Sequence, residues 1–353
     1  MPTEVIVFPH THWDREWYRT FQEFRIRLVE LIDRVIALLE DGTYPFFMLD
    51  GQAIVLEDYL AIKPENRERL EALIRAKKLA VGPWYILPDE FLVSGESIIR
   101  NLQRGIGITV DFGGDRPKVG YLPDMFGHVG QIPQILKGFG CQEAVVWRGV
   151  DIEKPSFNWC APDGTCIPTH YLVDGYHNVI LYEPKSLEQR VEETKTFFER
   201  FSEGPILFPT GSDHLAPVPE MPETLKAVAE RFPDYHFRIA PIEEAAIAPT
   251  VTLEGELRYP SKAYLLQGVL SARMSLKQEN ARCQTLLERY VEPTAALVRL
   301  AGGNDAPGLV SEAWKTLLQN HPHDSICGCS VDEVHREMVT RFAAVHQIGN
   351  TLL

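Results

Sequence analysis

Short apolar runs alternate with amphipathic segments over roughly the first 260 residues of this 353-residue chain. Six of the apolar runs have the length of buried strands: Val5–Phe8, Phe46–Leu49, Leu79–Val81, Lys118–Tyr121, Ala144–Trp147 and Ile206–Phe208. Three intervening segments carry apolar residues at helical spacing: Phe24–Leu39, Asn66–Ala76 and Ser97–Ile106. Because parallel strands need crossover connections, usually helices, this alternation predicts an α/β fold with parallel strands.

The composition changes between about residues 233 and 260, where proline-flanked acidic segments replace the alternation, and the chain becomes helical in character after Ser271. The predicted helices there are Gln278–Leu300, Val310–Leu318 and Val331–Leu352. A chain of this length is expected to hold about two domains. We therefore predict a parallel-stranded, barrel-like (β/α) domain over residues 1–265 and a helical bundle over residues 266–353.

The formal net charge of -14 argues against a nucleic-acid or anionic-membrane partner, because the attraction to phosphate would have the wrong sign. The N-terminal residues contain no basic stretch followed by an apolar core, and no apolar run approaches the length of a membrane span. We therefore expect a cytoplasmic protein with no nucleic-acid and no membrane partner. A homo-oligomer is one assembly that the sequence leaves open.

The cysteines form no CxxC pair and no framework spacing, so we expect all six to be reduced thiols: Cys141, Cys160, Cys166, Cys283, Cys327 and Cys329. Cys327-Gly328-Cys329 follows a His/Asp cluster closely, which would suit a metal site. No second cysteine pair completes a ligand set, so unliganded thiols in a glycine turn are the favoured interpretation.

Three predicted strands end in loops that carry an acidic residue. The first, fourth and sixth of these strands lead to Asp14, Asp124 and Asp213, respectively. Ligands bind at the carboxyl ends of strands in barrels and in open α/β sheets alike, so independent loops there can build one site. Aspartate is also a common turn residue, and turn formation is the simpler explanation for any single one of the three.

The first strand opens directly into three residues that can bind a metal: His10, His12 and Asp14. If the extended geometry continues past Phe8, these alternate side chains point to one face and converge. Imidazole nitrogen and carboxylate oxygen suit Zn²⁺ or a similar first-row ion, which would need further ligands from elsewhere in the chain. A strand end with polar residues in its loop is the alternative interpretation.

Three separated motifs together resemble glycoside hydrolase family 38, the α-mannosidases: His10-Thr11-His12-Trp13-Asp14-Arg15-Glu16-Trp17, Pro123-Asp124-Met125-Phe126-Gly127-His128 and Asn320-His321-Pro322-His323-Asp324. Four shorter stretches support this resemblance: Val81-Gly82-Pro83-Trp84-Tyr85, Asp89-Glu90, Trp147-Arg148-Gly149 and Leu276-Lys277-Gln278. The likeness extends over nearly the whole chain. Its opening motif is most similar to the bacterial branch that includes the mannosylglycerate hydrolases.

The resemblance implies a four-ligand zinc site: His12, Asp14, Asp124 and His323. Another divalent ion such as Co²⁺ is an alternative occupant. His10 then remains a neighbour without an assigned role. Pro322 hinders the continuation of a preceding helix, so a turn there can present His323. Without the other motifs, a polar cluster at a helix terminus would be the favoured interpretation of His321 and His323.

Retaining glycosidases place two carboxyl groups about 5–5.5 Å apart, one as nucleophile and one as acid/base. The resemblance implies that Asp124 both touches the metal and attacks the sugar, and that Asp213 is the acid/base. The family commonly has two adjacent aspartates at the second position, whereas this chain has Ser212 before Asp213. A turn-forming aspartate in a Gly-Ser loop is the alternative for Asp213.

Three further residues are candidates for substrate binding. The aromatic ring of Trp17 can form a floor for the apolar face of a sugar, and Phe126 follows the nucleophile closely enough to line the same pocket. Arg148 ends a strand-like run and can hydrogen-bond the second oxygen of the nucleophile. Core packing is the commoner role for each aromatic residue, and a surface ion pair is the commoner role for the arginine.

Three functions remain open from the sequence. The leading one is a zinc-dependent retaining α-mannosidase acting on an α-mannoside carbohydrate. The second is a mannosylglycerate hydrolase, including one that acts on a 6-phosphorylated substrate, and the third is a non-catalytic module that binds mannose through its metal. Enzymes of the family generally continue into β-rich domains, whereas this chain ends at Leu353, so we treat a fragment of a longer enzyme as one option.

Overall fold

The computed structural model describes residues 2–353 and contains ten strands. All six predicted strands are present, and the complete set is β1 Thr3–Pro9, β2 Phe47–Met48, β3 Leu79–Ala80, β4 Val119–Leu122, β5 Glu143–Val146, β6 Ser156–Cys160, β7 Cys166–Tyr171, β8 Ile206–Thr210, β9 Tyr235–Ile239 and β10 Thr252–Glu254. The four additional strands are β6, β7, β9 and β10. They mix polar and apolar residues, so they lack the continuous apolar runs by which the other strands are recognised.

Twelve α-helices connect and follow the strands: α1 Phe21–Glu40, α2 Ile54–Leu60, α3 Arg67–Arg75, α4 Gly95–Asp111, α5 Ile132–Gly138, α6 Leu187–Phe198, α7 Met221–Ala229, α8 Met274–Leu286, α9 Glu292–Leu300, α10 Pro307–Leu318, α11 His323–Cys327 and α12 Asp332–Leu352. A π-helical segment, Leu287–Val291, joins α8 to α9, so the region predicted as one helix is continuous. No helix among residues 2–353 has the length and apolar character needed to cross a membrane.

The strands form three hydrogen-bonded sheets, which confirms the α/β class with parallel strands. One sheet has the order β8-β1-β9, the second has the order β10-β6-β7-β5-β4, and the third pairs β2 with β3. Every pairing is parallel except that of β6 with β7. The predicted barrel-like closure is not confirmed, because only a single bridge, between His10 and Met48, links β1 to β2.

The antiparallel pair β6–β7 corrects the prediction that all six cysteines are reduced. A short turn containing Asp163 and Gly164 joins the two strands, and their register places Cys160 opposite Cys166. The two sulfurs form a disulfide, while the remaining four cysteines are free. A spacing of six residues gives no sign of this pairing in the sequence, because only the hairpin brings the two side chains together.

The helical region has its own hydrophobic core and packs against α4. Leu287, Trp314 and Phe342 lie in that core, and Leu92 from the loop before α4 packs against it. Polar contacts join the same surfaces: the side-chain amide of Gln284 donates to the Ser97 hydroxyl at 3.0 Å. The two parts of the chain therefore share an interface that is both apolar and hydrogen-bonded.

Helix α4 also makes a very close approach to the segment that follows β3. A Cβ atom added to Gly105 would overlap the backbone of Pro83, Trp84 and Tyr85, whereas one added to Gly107 would have no neighbour within 4 Å. We expect Gly105→Ala to lower the free energy of unfolding by about 3 kcal/mol, since backbone atoms cannot move aside as a flexible side chain can.

Gly107→Ala is the matched control in the same helix. We expect it to raise the free energy of unfolding by about 0.5–1 kcal/mol, because alanine favours the helix and meets no obstacle. Urea denaturation followed by circular dichroism measures both variants. Equal effects of the two substitutions would contradict the close packing of α4.

Candidate active site

The loops after β1 and β8 run side by side because the two strands pair in parallel, with Val7 opposite Phe208. The pairing continues past the strand ends. The backbone N–H of His12 donates to the carbonyl of Ser212 at 3.2 Å, and that of His214 donates to the carbonyl of His12 at 2.8 Å. This arrangement places Asp213 beside the loop that carries His12.

Four side chains from three separate segments place two histidine nitrogens within 3.8 Å of the same two carboxylate oxygens. His12 Nε2 lies 3.1 Å from Asp14 Oδ1 and 3.8 Å from Asp124 Oδ2. His323 Nε2 lies 3.3 Å from each of the same two oxygens. All four side chains are buried. The structure therefore brings together the four residues to which the metal-ligand motifs pointed, and we call them the four-residue cluster.

His10 lies outside this cluster, contrary to the convergence expected from alternate positions. Its Nε2 atom lies 3.1 Å from the carbonyl oxygen of Tyr176, and burial lowers the pKa of His10 to about 3. The neutral ring can donate from Nε2 to that carbonyl. The reason is that β1 ends at Pro9, so the two-residue period of an extended strand does not continue through the loop.

The two imidazoles of the cluster are oriented by acceptors on their outer sides. His12 Nδ1 lies 2.9 Å from Asp50 Oδ2, and His323 Nδ1 lies 3.3 Å from the carbonyl oxygen of Leu87. Asp50 also accepts from the backbone N–H of Trp13 at 2.8 Å. Asp50 was not singled out from the sequence, although it follows the predicted strand Phe46–Leu49 in the way that the other site aspartates follow theirs.

The carboxylate of Asp124 divides its oxygens between two sets of partners. Oδ2 faces the histidines, and Oδ1 accepts from Arg148 Nε at 2.7 Å, with a second guanidinium nitrogen of Arg148 also in contact. Burial opposes ionisation of Asp124, but contact with His323 and the charge of Arg148 hold its pKa well below the usual range. Asp124 is therefore ionised at neutral pH.

The cluster attracts positive charge. Burial opposes ionisation of Asp14, but the charge of His12 lowers its pKa to about 2. Burial likewise opposes protonation of His323, yet the neighbouring carboxylates, led by Asp324, raise its pKa to about 9. Either protons on the imidazoles or a metal cation can neutralise the negative charge of these carboxylates.

Asp213 is held by a tyrosine that no sequence motif indicated. The Tyr176 hydroxyl donates to Asp213 Oδ1 at 3.0 Å, and the Tyr176 ring lies 4.7 Å from the His12 ring between centroids. Burial, followed by the charges of Asp124 and Asp213, raises the pKa of Tyr176 well above its usual value, so its hydroxyl stays protonated and donates. Tyr176 lies in an irregular segment after β7, outside every recognised motif.

The three candidates for substrate binding occupy different positions. The Phe126 ring lies 5.4 Å from the His323 ring, and the Arg148 guanidinium lies 5.5 Å from the Phe126 ring, so both border the four-residue cluster. Trp17 is partly buried against the hydrophobic core that contains Trp13 and Phe24, and its ring contacts Tyr18, with ring centroids 4.9 Å apart.

A fully buried glutamate ties the loop after β1 to the helical region. Glu16 Oε1 accepts from the Ser325 hydroxyl at 2.8 Å and from Arg341 at 2.6 Å. Ser325 lies in α11, two residues after His323, and Arg341 lies in α12. This ion pair therefore fixes the segment that carries His323 against the segment that carries Asp14.

Comparisons with known proteins agree with the motifs. Residues 2–244 match the "Glycosyl hydrolases family 38 N-terminal domain" and residues 264–353 match the "Alpha mannosidase middle domain". The chain belongs to glycoside hydrolase family 38. It thus combines the α/β fold and the helical region of that family with the cluster described above.

The relatives are longer than this chain. A Halalkalibacterium halodurans protein named "Putative mannosylglycerate hydrolase" is 38% identical over 98% of this chain and 42% of its own length. The mouse protein alpha-mannosidase 2C1 is 25% identical over 98% of this chain and 34% of its length. The crystal structure of an alpha-mannosidase from Enterococcus faecalis superposes with a TM-score of 0.91 at 36% identity, covering 99% of this chain and 42% of that one. The chain thus spans about two fifths or less of these relatives.

We expect Arg341→Ala to lower the free energy of unfolding by about 3–5 kcal/mol, because it leaves the buried Glu16 carboxylate without its charged partner. Arg336→Ala is the matched control on the same helix. Arg336 pairs with Glu333 in an exposed i,i+3 arrangement, so its loss should change stability by no more than about 0.5 kcal/mol. Urea denaturation measures both, and a small effect of Arg341→Ala would refute the importance of the buried pair.

Proposed function

We propose that this chain forms the catalytic part of a zinc-dependent retaining α-mannosidase that removes terminal mannose from α-mannosides. The observation that carries the proposal is the four-residue cluster in a chain of family 38. Because His323 lies in the helical region, we propose further that residues 1–265 and 266–353 form two units of one catalytic centre. A cytoplasmic location stays a prediction.

The chemistry of the cluster fits a zinc ion. When Nδ1 of each imidazole donates outward, the four inward atoms are all acceptors, and His12 Nε2, Asp14 Oδ1 and His323 Nε2 are buried without a hydrogen-bond partner. Facing acceptors are unfavourable unless a cation lies between them. Tetrahedral zinc with bonds of about 2.0–2.1 Å implies ligand separations of about 3.3–3.4 Å. The four separations between an imidazole nitrogen and a carboxylate oxygen, 3.1–3.8 Å, lie around that value.

Bound zinc would supply Lewis-acid character and a point of attachment for sugar hydroxyls. Mannose offers a cis pair there, its axial 2-hydroxyl and its 3-hydroxyl, which would favour mannose over glucose. The Phe126 ring borders the same space and can pack against an apolar sugar face. We propose that the Trp17 ring also packs against an apolar sugar face, and this proposal rests only on its place in the motif His10–Trp17.

Asp124 is the proposed nucleophile. Its low pKa keeps it ionised, and Arg148 holds Oδ1 so that the carboxylate keeps a fixed orientation. Attack on the anomeric carbon forms a mannosyl ester as the glycosidic bond breaks. Water then cleaves the ester, and two inversions give net retention of configuration.

Asp213 is the proposed acid/base. It would protonate the departing oxygen in the first step and take a proton from water in the second. Its carboxyl group is partly exposed, as a group that exchanges protons with water needs to be. Tyr176 donates to Oδ1, which leaves Oδ2 for the proton transfer and fixes the direction in which it points.

A mannosylglycerate hydrolase is the second candidate function, and the 38% identical bacterial relative favours it. Both functions use the same mannose site and differ in the group that leaves. A non-catalytic module that binds mannose through its metal is the third hypothesis. It differs from the other two in predicting no hydrolysis of a mannoside.

We expect the chain to hydrolyse an aryl α-mannoside or α-mannosylglycerate, to lose activity when a chelator removes the metal, and to regain it with Zn²⁺. The ratio of the two rates decides between the two hydrolase functions. Zinc binding without hydrolysis of either substrate would contradict both and support the non-catalytic reading.

His12→Ala tests the metal site separately. We expect its zinc affinity to fall on the order of 100-fold or more, since removing a ligand costs at least as much as removing an outer partner. The exposed His236, which pairs with Glu4, provides the control His236→Ala with unchanged zinc content. If mass spectrometry finds the same number of zinc ions per chain in His12→Ala as in the unmodified chain, the assignment is refuted.

A 5-fluoro mannosyl fluoride, which keeps the 2-hydroxyl, should label Asp124, because the ring fluorine slows both steps while the fluoride leaving group keeps formation of the ester faster than its hydrolysis. Peptide mapping identifies the labelled residue. In a separate reaction with an unfluorinated α-mannoside, NMR should show that the mannose first released is the α-anomer. A label on another residue, or an inverted product, would overturn the role of Asp124.

A further inference from the structure

A second group of metal-ligand side chains lies next to the four-residue cluster, at the end of α11. Asp324, Cys327 and Cys329 each offer one ligand atom, and the three atoms lie within 4.8 Å of one another. Cys329 Sγ lies 3.1 Å from Asp324 Oδ1, and the backbone N–H of Cys329 points to Cys327 Sγ at 3.4 Å. The Cys329 thiol therefore contacts the Asp324 carboxylate, while the Cys327 thiol lies close by and donates to the backbone carbonyl of Asp324 at 3.5 Å.

The local backbone holds this arrangement in place. Gly328 has φ +94°, a left-handed conformation that lets the chain reverse between the two cysteines. The ammonium of Lys277 donates to the carbonyl oxygens of Ile326 and Cys327, at 2.9 and 2.8 Å. The turn is thus fixed by α8 before any ligand arrives, which reduces the entropy cost of binding.

We propose that Asp324, Cys327 and Cys329 form a second cation site, selective for thiophilic ions such as Zn²⁺, Cd²⁺ or Cu⁺. Thiolate ligands select soft cations, whereas the four-residue cluster offers only nitrogen and oxygen. Cys327 is buried and Cys329 is exposed, so an ion can enter from the side of Cys329. Binding forms two metal–sulfur bonds, and both thiol protons pass to solvent.

The Asp324 carboxylate lies between the two sites and contacts both. Asp324 Oδ2 lies 4.0 Å from His323 Nε2, while Oδ1 of the same carboxylate contacts Cys329. Asp14, His323 and Asp324 also place ligand atoms within 4.8 Å of one another. A cation on the thiols therefore fixes Asp324 and adds positive charge beside His323, so each site should weaken cation binding at the other.

The test is a Cd²⁺ titration of the whole chain, followed by the ultraviolet charge-transfer absorbance of Cd²⁺–thiolate bonds. We expect the amplitude of the band at saturation to correspond to one thiolate-bound Cd²⁺ per chain, whether or not the four-residue cluster holds a second ion. Cd²⁺ in the four-residue cluster gives no such band, since that cluster contains no sulfur. The result is therefore independent of whether the chain hydrolyses mannosides.

Cys327→Ser/Cys329→Ser should lose the band, and Cys160→Ser/Cys166→Ser, which removes the other close cysteine pair, should keep it. Cys329→Ser alone alters an exposed side chain and should weaken Cd²⁺ binding on the order of tenfold or more. This single variant still tests the proposal if the double variant does not fold. Absence of the band in the unmodified chain, or its persistence without Cys327 and Cys329, would overturn the proposal.

Discussion

Neutralisation of buried charge is the constraint on which the rest of this structure depends. Asp14 and Asp124 are ionised although water reaches little of either, and burial of an unpaired carboxylate costs several kcal/mol. Interactions with Arg148 and the two imidazoles offset part of this cost, and a metal cation would offset the rest. Because pairing of buried charges requires close geometry, each imidazole of the site also has a fixed outer partner, such as Asp50 for His12.

The same constraint joins the two parts of the chain. His323 comes from the helical region, and the carboxylates it faces come from the α/β region. The buried pair of Glu16 with Arg341 crosses the same boundary, and Ser325 adds a hydrogen bond to it. A site assembled in this way exists only when both regions are folded and docked. Binding of a cation would therefore stabilise the interface as well as the site.

Ligand chemistry separates the two proposed cation sites more clearly than distance does. The four-residue cluster offers imidazole nitrogens and carboxylate oxygens, which suit the zinc ion that we propose for it. The group at the end of α11 offers two thiols and the carboxylate of Asp324. Since Asp324 adjoins both, an ion held by sulfur would act on the other site through a single side chain and its charge.

Local sequence patterns predicted much of the secondary structure and several residues of the site. Continuous apolar runs predicted six strands, and helical periodicity predicted six helical segments but not α2, α5, α6, α7 or α11. Separated motifs pointed to side chains that the fold brings together. The disulfide Cys160–Cys166, the division into three sheets and the contact of Tyr176 with Asp213 were decided only by tertiary structure. Sequence periodicity records which face of an element is buried, whereas these contacts depend on which strands pair and which loops pass the same strand end. The sheet order and the contact of Tyr176 with Asp213 are set by packing between residues far apart in the chain, and the disulfide is set by the register of the β6–β7 hairpin. A pattern of apolar residues encodes neither.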